Sequence, residues 1–268
     1  MNTKFVIKNG QLIPPEQANI SVFNKALFFD FCVYSNIKVV QGRMYMPKVE
    51  IEKLFESARA INLEHEYELE EVIGWADKLV AKNELRDALI RILLVGPEQG
   101  SEPELFMFAV GLTFYPNKFY KQGVSLITFK GERYFPTAKT KNLLMSYHAY
   151  GKAAKTGTLD ALLVDRDNNI RECTRSSFFA IKNGTLLIPP KEKVLEGLTK
   201  TMILKIAPKI LKIEERDISA DEIKDFDECF ISATTMKIIP VTQIDKSIIS
   251  DVVGEKTKEL MKMFKKID

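Results

Sequence analysis

The chain has 268 residues, 46% of them hydrophobic and 28% charged, and its 39 basic and 36 acidic side chains leave a formal net charge of +3. Length, composition and interspersed charge indicate a globular protein with one large or two medium-sized domains and argue against a nucleic-acid partner. No apolar run approaches a membrane span, and residues 1–15 lack the apolar core and cleavage site of a signal peptide. We therefore expect a cytoplasmic protein with no membrane partner.

The cysteines and histidines give little support to disulfide or metal chemistry. The three cysteines, Cys32, Cys173 and Cys229, are widely spaced and form no CxxC pair. His65 and His148 stand far apart, and neither belongs to an HExxH motif. We expect no disulfide framework, no metal site and no histidine-based catalysis.

The first part of the chain alternates hairpin and helix signals. Short apolar runs around Asn-Gly in "FVIKNGQLIPP" and around Gln-Gly in "VYSNIKVVQGRMYM" predict two hairpins. Helical periodicity in "EIEKLFESARAINL" and "ELEEVIGWADKLVAKNEL" predicts two amphipathic helices. The runs "ALIRILLVG" and "ELFMFAVGLTF" predict strands on either side of the turn "PEQGSEP".

The polar segment "YPNKFYKQG" then predicts a domain boundary. After it we expect a strand ("VSLITF"), a helix within "RYFPTAKTKNLLMSYHAYGKAAK", and hairpins at "ALLVDRDNNIREC" and "SFFAIKNGTLLIPP". A helix at "LTKTMILKIAPKIL", strands around "ECFISATTMKIIPVTQI" and a closing helix follow. Because neither part shows regular βαβ alternation, the sequence predicts an α+β fold with two domains, residues 1–115 and 121–268.

Four short stretches in the second part offer groups that an anionic aromatic cofactor could use. Lys139 follows Pro136 at the start of a predicted helix, where the helix dipole disfavours a charged amine, and a neutral amine can attack a carbonyl. Glu172 ends a predicted strand, "LEGLTKTMI" opens a helix at Thr199, and "FISATTMKIIPV" ends a strand in Ala-Thr-Thr. Helix starts and turns of these kinds bind phosphate. Singly, each is better explained as a solvated charge or an ordinary helix cap.

Taken in order, the stretches "KTKNLL", "DALLVD", "IRECTRSSFFAIKNG", "LEGLTK", "DECFISATT" and "IIPV" resemble the class IV (fold-type IV) pyridoxal-phosphate aminotransferases. That family includes branched-chain and D-amino-acid aminotransferases and aminodeoxychorismate lyase. The resemblance extends, more loosely, through "FFDFCVYSNIKVVQGRMYM" and "EIEKLFESA", so it covers nearly the whole chain. It implies a two-domain fold with the cofactor in the interdomain cleft, and it implies a homodimer.

The resemblance also implies roles for individual residues. Lys139 would form the Schiff base with pyridoxal 5'-phosphate and move a proton at the substrate α-carbon, with Lys141 the competing choice. Glu172 would hydrogen-bond the pyridine nitrogen. The phosphate would be held by Lys53 and by Leu198, Thr199 and Thr234, and Tyr34, Arg133 and Thr235 would lie at the substrate, with Arg133 close to the cofactor.

Several positions depart from the family pattern. Lys53 and Lys200 stand where arginines are usual, and Ser35 and Ser177 where an acidic residue and an asparagine are usual. The implied activity is transfer of an amino group from a hydrophobic amino acid, with branched-chain amino acids the leading choice, to a 2-oxo acid such as 2-oxoglutarate. The alternatives are a D-amino-acid aminotransferase, a lyase that eliminates pyruvate, and a binding protein that has lost catalysis.

Overall fold

The computed structural model describes residues 3–98 and 101–267, and its contacts divide the chain into two compact units. The first unit runs to Thr113 and also includes Ala138–Asn142, and the second consists of Phe114–Thr137 and the chain from Leu143 onward. The segment that carries Lys139 therefore packs in the first unit, whereas the sequence placed this lysine in the second domain. The domain ranges 1–115 and 121–268 stay a prediction.

The first unit is an antiparallel sheet with two long helices. Its strand order is β2-β1-β6-β5-β3-β4, and every pairing is antiparallel. Helices α2 and α3 pack on the sheet through a core of buried aliphatic side chains. The elements are β1 (Val6–Lys8), β2 (Gln11–Ile13), α1 (Lys25–Phe29), β3 (Cys32–Val40), β4 (Arg43–Tyr45), α2 (Pro47–Ala60), α3 (Leu69–Lys82), β5 (Ala88–Val95) and β6 (Glu104–Gly111).

Asn9 and Gly10 form the turn between β1 and β2, as the Asn-Gly pair predicts. Both residues have positive φ, 48° and 79°, as a tight two-residue hairpin turn requires. A Cβ on Gly10 would also lie only 2.6 Å from the indole ring of Trp75. Glycine is thus required here both by the backbone conformation and by the packing of α3 against the turn.

The second unit contains a larger mixed sheet and four α-helices among its described residues. Strands β7 and β8 pair in parallel, as do β7 and β14, which is why long connections separate them. The strand order is β12-β11-β10-β13-β14-β7-β8-β9, with β15 paired to β14. The elements are α4 (Asn117–Gln122), β7 (Val124–Lys130), α5 (Leu144–Lys155), β8 (Asp160–Val164), β9 (Ile170–Cys173), β10 (Ser177–Lys182), β11 (Thr185–Ile188), α6 (Leu198–Ile206), β12 (Lys212–Glu215), β13 (Glu228–Ala233), β14 (Lys237–Ile244), β15 (Ser247–Ile248) and α7 (Glu255–Phe264).

Two turns of the second unit lie at one edge of this sheet. Ser177, the first residue of β10, pairs with Ser232 near the end of β13. The turn Thr174–Ser176 before β10 and the turn Thr234–Met236 after β13 are therefore neighbours, and we call this the two-turn edge. The start of β8 lies there too, because Thr174 N–H donates to the carbonyl of Ala161.

The structure differs from the predicted elements at a few places. Residues 117–122 form α4, where the sequence indicated only a polar turn. Helix α5 begins at Leu144, five residues after Lys139. Part of the predicted turn "PEQGSEP", namely Gln99 and Gly100, lies outside the described residues.

Two further observations concern the described residues as a set. All three cysteines are buried free thiols. Over residues 3–98 and 101–267, no helix is long and apolar enough to cross a bilayer.

Candidate active site

Lys139 lies in a short extended segment beside β3. The amide of Tyr34 donates to the Lys139 carbonyl at 2.9 Å, and the amide of Lys141 donates to the Cys32 carbonyl at 3.0 Å. Thr140 forms an antiparallel bridge with Val33 between these two bonds. The helix-dipole argument made from the sequence is therefore wrong for Lys139, because this residue is paired to a strand and lies outside α5.

Both candidate lysines approach the same aromatic ring. The Nζ atom of Lys139 lies 5.3 Å from the centroid of the Tyr34 ring, and that of Lys141 lies 5.7 Å away. These are cation–π distances. Lys139 is partly buried whereas Lys141 is exposed, so burial favours Lys139 as the reactive amine.

Helix α2 holds the backbone of Lys139 through Ser57. The Lys139 amide donates to Ser57 Oγ at 3.1 Å, and the Ser57 hydroxyl donates to the Lys53 carbonyl at 2.7 Å. Ser57 is buried, and it links the two lysines that the sequence assigned to one cofactor. Sequence reasoning missed Ser57, although its position four residues after Lys53 puts both on one face of α2.

Ser35, one of the departures from the family pattern, has a specific partner. Its hydroxyl donates to Glu50 Oε2 at 2.7 Å, and both side chains are buried. The pair joins β3 to the first turn of α2, one helical turn before Lys53. Ser35 therefore fixes the helix that carries Lys53 and Ser57.

Glu172, in β9, is a buried carboxylate with two donors. Arg133 Nη1 lies 3.2 Å from Oε1, and the Leu195 amide donates to Oε2 at 3.4 Å. Burial raises the pKa of Glu172 above its usual value, while Arg133 and the Leu195 amide oppose that rise. Arg133 also donates to the Pro136 carbonyl at 3.3 Å. The structure thus places Arg133 on Glu172, and its predicted contact with substrate stays a prediction.

The start of α6 lies close to the two-turn edge. A Cβ on Gly197, the residue before the helix, would be 3.8 Å from Ser177 Oγ. Gly197 has no side chain to cap the amides of Leu198 and Thr199, and no side chain of a described residue caps this helix start. Free amides at the positive end of a helix suit an anion. The turn that carries Thr234 is at the same edge.

Comparison with known proteins identifies the family. The family model described as "Amino-transferase class IV" matches residues 33–244. A putative branched-chain-amino-acid aminotransferase of Methanocaldococcus jannaschii is 30% identical over 97% of this chain and 94% of its own. The chain is a class IV aminotransferase.

Solved structures show that the aminotransferase has the predicted fold. The Escherichia coli branched-chain amino acid aminotransferase superposes with a TM-score of 0.90 at 22% identity, over 99% of this chain and 95% of that one. The branched-chain aminotransferase of Thermoproteus uzoniensis, solved with norvaline, gives a TM-score of 0.86 at 22% identity over 99% of this chain and 95% of that one. A D-alanine aminotransferase of Listeria monocytogenes is 28% identical over 92% of this chain and 89% of its own. The fold-type IV α+β prediction and the enzyme class are confirmed.

Within each unit, the structure brings together part of the predicted set. In the first unit Tyr34, Lys53 and Lys139 are joined directly or through Ser57. In the second unit Arg133 lies on Glu172, and the residues around Gly197 and Thr234 are at the two-turn edge. Leu195, which sequence reasoning missed, holds Glu172 through its amide.

Proposed function

We propose that this aminotransferase uses pyridoxal 5'-phosphate to transfer an amino group from a hydrophobic, branched-chain amino acid to a 2-oxo acid. The observation that carries the proposal is the fixed position of Lys139. Three hydrogen bonds hold this segment to β3 and α2, and its amine lies over Tyr34. The branched-chain relatives in the comparisons support the choice of amino donor.

The residues present fit each part of this cofactor. The uncapped amides of Leu198 and Thr199 suit its phosphate, and we assign Thr234, at the same edge of the second unit, to that phosphate too. Glu172 suits the pyridine nitrogen, because a buried carboxylate is a strong acceptor for its N–H proton. The bound cofactor would supply an electron sink for the electrons of the substrate α-carbon.

The chain's own groups then have distinct tasks. The Lys139 amine would attach the cofactor and, once released from it, would move a proton from the substrate α-carbon to the cofactor. Glu172 must be ionised to hold the pyridine proton, and Arg133 at 3.2 Å favours that ionised form against the effect of burial. Tyr34 and Thr235 are proposed to contact the substrate, and Lys53 contributes charge without the two-pronged fork of an arginine.

A second candidate activity has a specific observation in its favour. D-alanine aminotransferases match this chain at 27–28% identity, close to the 25–30% of the branched-chain relatives. A D-amino-acid donor is therefore the alternative substrate class.

Attachment of the cofactor to Lys139 can be tested directly. The purified protein is incubated with pyridoxal 5'-phosphate, reduced with borohydride and mapped by peptide mass spectrometry. We expect the label on Lys139, no label in Lys139→Ala, and normal labelling in the matched control Lys141→Ala. Labelling that survives in Lys139→Ala and disappears in Lys141→Ala would show that the reactive lysine was misassigned.

The substrate is tested by a screen of amino donors. Both enantiomers of leucine, isoleucine, valine, alanine and glutamate are supplied with 2-oxoglutarate, and the new 2-oxo acid and glutamate are measured. We expect L-leucine, L-isoleucine and L-valine to react fastest. Preference for D-alanine would establish the alternative, and pyruvate formed without glutamate would indicate a lyase.

We also propose that the enzyme is a homodimer. The segment around α1 exposes five large apolar side chains, between 54% and 81% of each, and such a contiguous patch is typical of a protein–protein interface. Its residues are Val22, Phe23, Leu27, Phe28 and Phe29.

Sedimentation equilibrium tests the dimer. We expect the wild-type protein to sediment as a dimer and Phe28→Glu to shift toward the monomer, because a charge in the patch resists burial. Val252→Glu, which changes an exposed apolar residue of the second unit, is the matched control and should remain dimeric. A wild-type monomer at micromolar concentration would contradict the proposal.

A further inference from the structure

Arg175 is a cationic side chain at the two-turn edge that none of the roles above uses. It is the middle residue of the turn Thr174–Ser176, three residues after Glu172. The pairing of Ser177 with Ser232 places this turn beside the one that carries Thr235. Arg175 is thus located where the second unit carries its proposed cofactor and substrate groups.

Two neighbours fix the plane of the Arg175 guanidinium. Its central carbon lies 3.9 Å from the centroid of the Tyr150 ring, a stacking distance. Its Nε lies 4.0 Å from Oδ2 of Asp160, whose side chain is fully buried. Asp160 is itself held, because Oδ1 accepts from the Thr174 hydroxyl and the Ala161 amide. The arginine is therefore pre-oriented by groups that do not occupy its fork.

The hydrogen-bonding fork of Arg175 remains available to a ligand. Its side chain is 43% exposed, and none of residues 3–98 and 101–267 accepts a hydrogen bond from it. Oδ2 of Asp160 likewise has no hydrogen-bond partner in the described part of the chain. A purely structural arginine would direct its five N–H donors at carbonyl or carboxylate oxygens. The stacked, open geometry is instead that of a site for a planar anion.

Arg175 also adjoins the predicted substrate residue Thr235. Burial raises the pKa of Tyr115, and both Arg175 and Thr235 are close enough to Tyr115 to oppose that rise. Arg175, Tyr115 and Thr235 therefore form one polar group at this edge, with Tyr150 beneath the guanidinium.

We propose that Arg175 binds a carboxylate of the substrate and so determines which amino donors and acceptors the enzyme accepts. This inference rests on the proposed function. Every amino acid and 2-oxo acid carries a 1-carboxylate, and the 2-oxoglutarate class carries a second one at its far end. The arginine fork binds either carboxylate with two parallel hydrogen bonds. A branched aliphatic side chain of the substrate would instead contact residues next to the short turn that carries Arg175.

Ligand binding to the cofactor-loaded enzyme tests the proposal. The probes are 4-methylvaleric acid, a branched monocarboxylate, and glutaric acid, a dicarboxylate, and their Kd values are measured by calorimetry. We expect Arg175→Gln to weaken binding by about 10- to 100-fold, the range for losing a charge-assisted hydrogen bond. The matched control is Arg166→Gln, an exposed arginine paired with Glu132, and it should leave both Kd values unchanged.

The pattern across the two probes identifies the carboxylate. Equal weakening of both acids assigns Arg175 to the 1-carboxylate, and weakening of glutaric acid alone assigns it to the distal carboxylate. Kd values within twofold of wild type for both acids overturn the proposal. If the wild-type protein fails to take up pyridoxal 5'-phosphate or to bind either acid, the proposed function fails and this inference fails with it.

A second variant separates binding from folding. The unfolding free energy and cofactor content of Arg175→Gln should match those of Arg166→Gln. If Arg175→Gln does not fold, acid binding by Arg175→Lys tests the proposal instead, because lysine keeps the charge and loses the planar fork. Several-fold weaker acid binding by Arg175→Lys supports the proposal, and unchanged binding overturns it.

Discussion

Replacing Ser57 with alanine should loosen the backbone of Lys139 without removing any side chain that is assigned to the cofactor or the substrate. The Ser57 hydroxyl accepts from the Lys139 amide at 3.1 Å and donates to the Lys53 carbonyl at 2.7 Å. Alanine removes the acceptor and leaves a partly buried N–H without a partner. The hydrogen bonds of the segment to Tyr34 and Cys32 in β3 remain in place.

The expected change in the free energy of unfolding is the sum of two opposing contributions. An N–H left unsatisfied costs about 1–3 kcal/mol when buried, and the partly buried Lys139 amide belongs in the lower half of that range. Alanine is a better helix former than serine within α2, which returns roughly 0.5 kcal/mol. The free energy of unfolding should therefore fall by about 0.5–1.5 kcal/mol.

Two measurements check this prediction. Urea denaturation of the cofactor-free protein gives the stability change, with Ser101→Ala as the matched control, because Ser101 makes an exposed hydroxyl–carbonyl bond in the same unit. The rate at which pyridoxal 5'-phosphate attaches to Lys139 should fall in Ser57→Ala and stay normal in the control. If both quantities equal those of Ser101→Ala, Ser57 does not position Lys139 and the reasoning is refuted.

Three further changes probe the charges of the second unit. The hydrogen bond from Arg216 holds the pKa of Glu222 at about 2, below its ordinary 4.5, so Glu222 stabilises the fold above about pH 4.5 and that stability is lost as the pH falls toward 2. Because the pair is partly exposed, Glu222→Gln should cost about 1–2 kcal/mol at pH 7 and almost nothing near pH 2 in urea titrations, and an equal cost at both would contradict the linkage. Arg171→Ala leaves a buried aspartate partner uncompensated and should cost about 3–5 kcal/mol, against at most about 1 kcal/mol for the exposed Arg166→Ala, and equal losses would disprove the difference. Burial raises the pKa of Glu172, so its ionised form costs stability as the pH rises above the ordinary carboxyl value. In urea titrations of the cofactor-free protein, Glu172→Gln should gain stability relative to wild type as the pH rises above that value, and a relative loss would reverse the assigned sign.

Elements that depend on local chemistry were predictable from the sequence. The Asn-Gly pair at Asn9 and Gly10 needs two positive φ values, and only a hairpin turn uses such a pair between apolar runs. The periodicity of α2 and α3 likewise reflects one buried face per helix. The sequence predicts only a turn at residues 117–122, because a six-residue helix is too short to show a period.

The candidate site was predictable only as a series of motifs in order. Lys139, Glu172, Thr199 and Thr234 could be named because each belongs to a short pattern. Ser57 could not, because its hydrogen bond to Lys139 joins residues 82 positions apart. The role of Arg175 could not be predicted for the same reason, because its stacking on Tyr150 depends on how α5 packs on the sheet.

The sequence by itself therefore determined the hairpins, the long helices, the α+β class and the family. The tertiary structure alone decided that the Lys139 segment pairs with β3 in the first unit and that Arg133 forms an ion pair with Glu172. It also decided that Arg175 stacks on Tyr150 at the two-turn edge. The physical reason is the separation along the chain of the residues that determine each feature. Turn conformation and helix periodicity are set by neighbours within a few residues, whereas these contacts depend on the register and packing of strands and helices far apart in the chain.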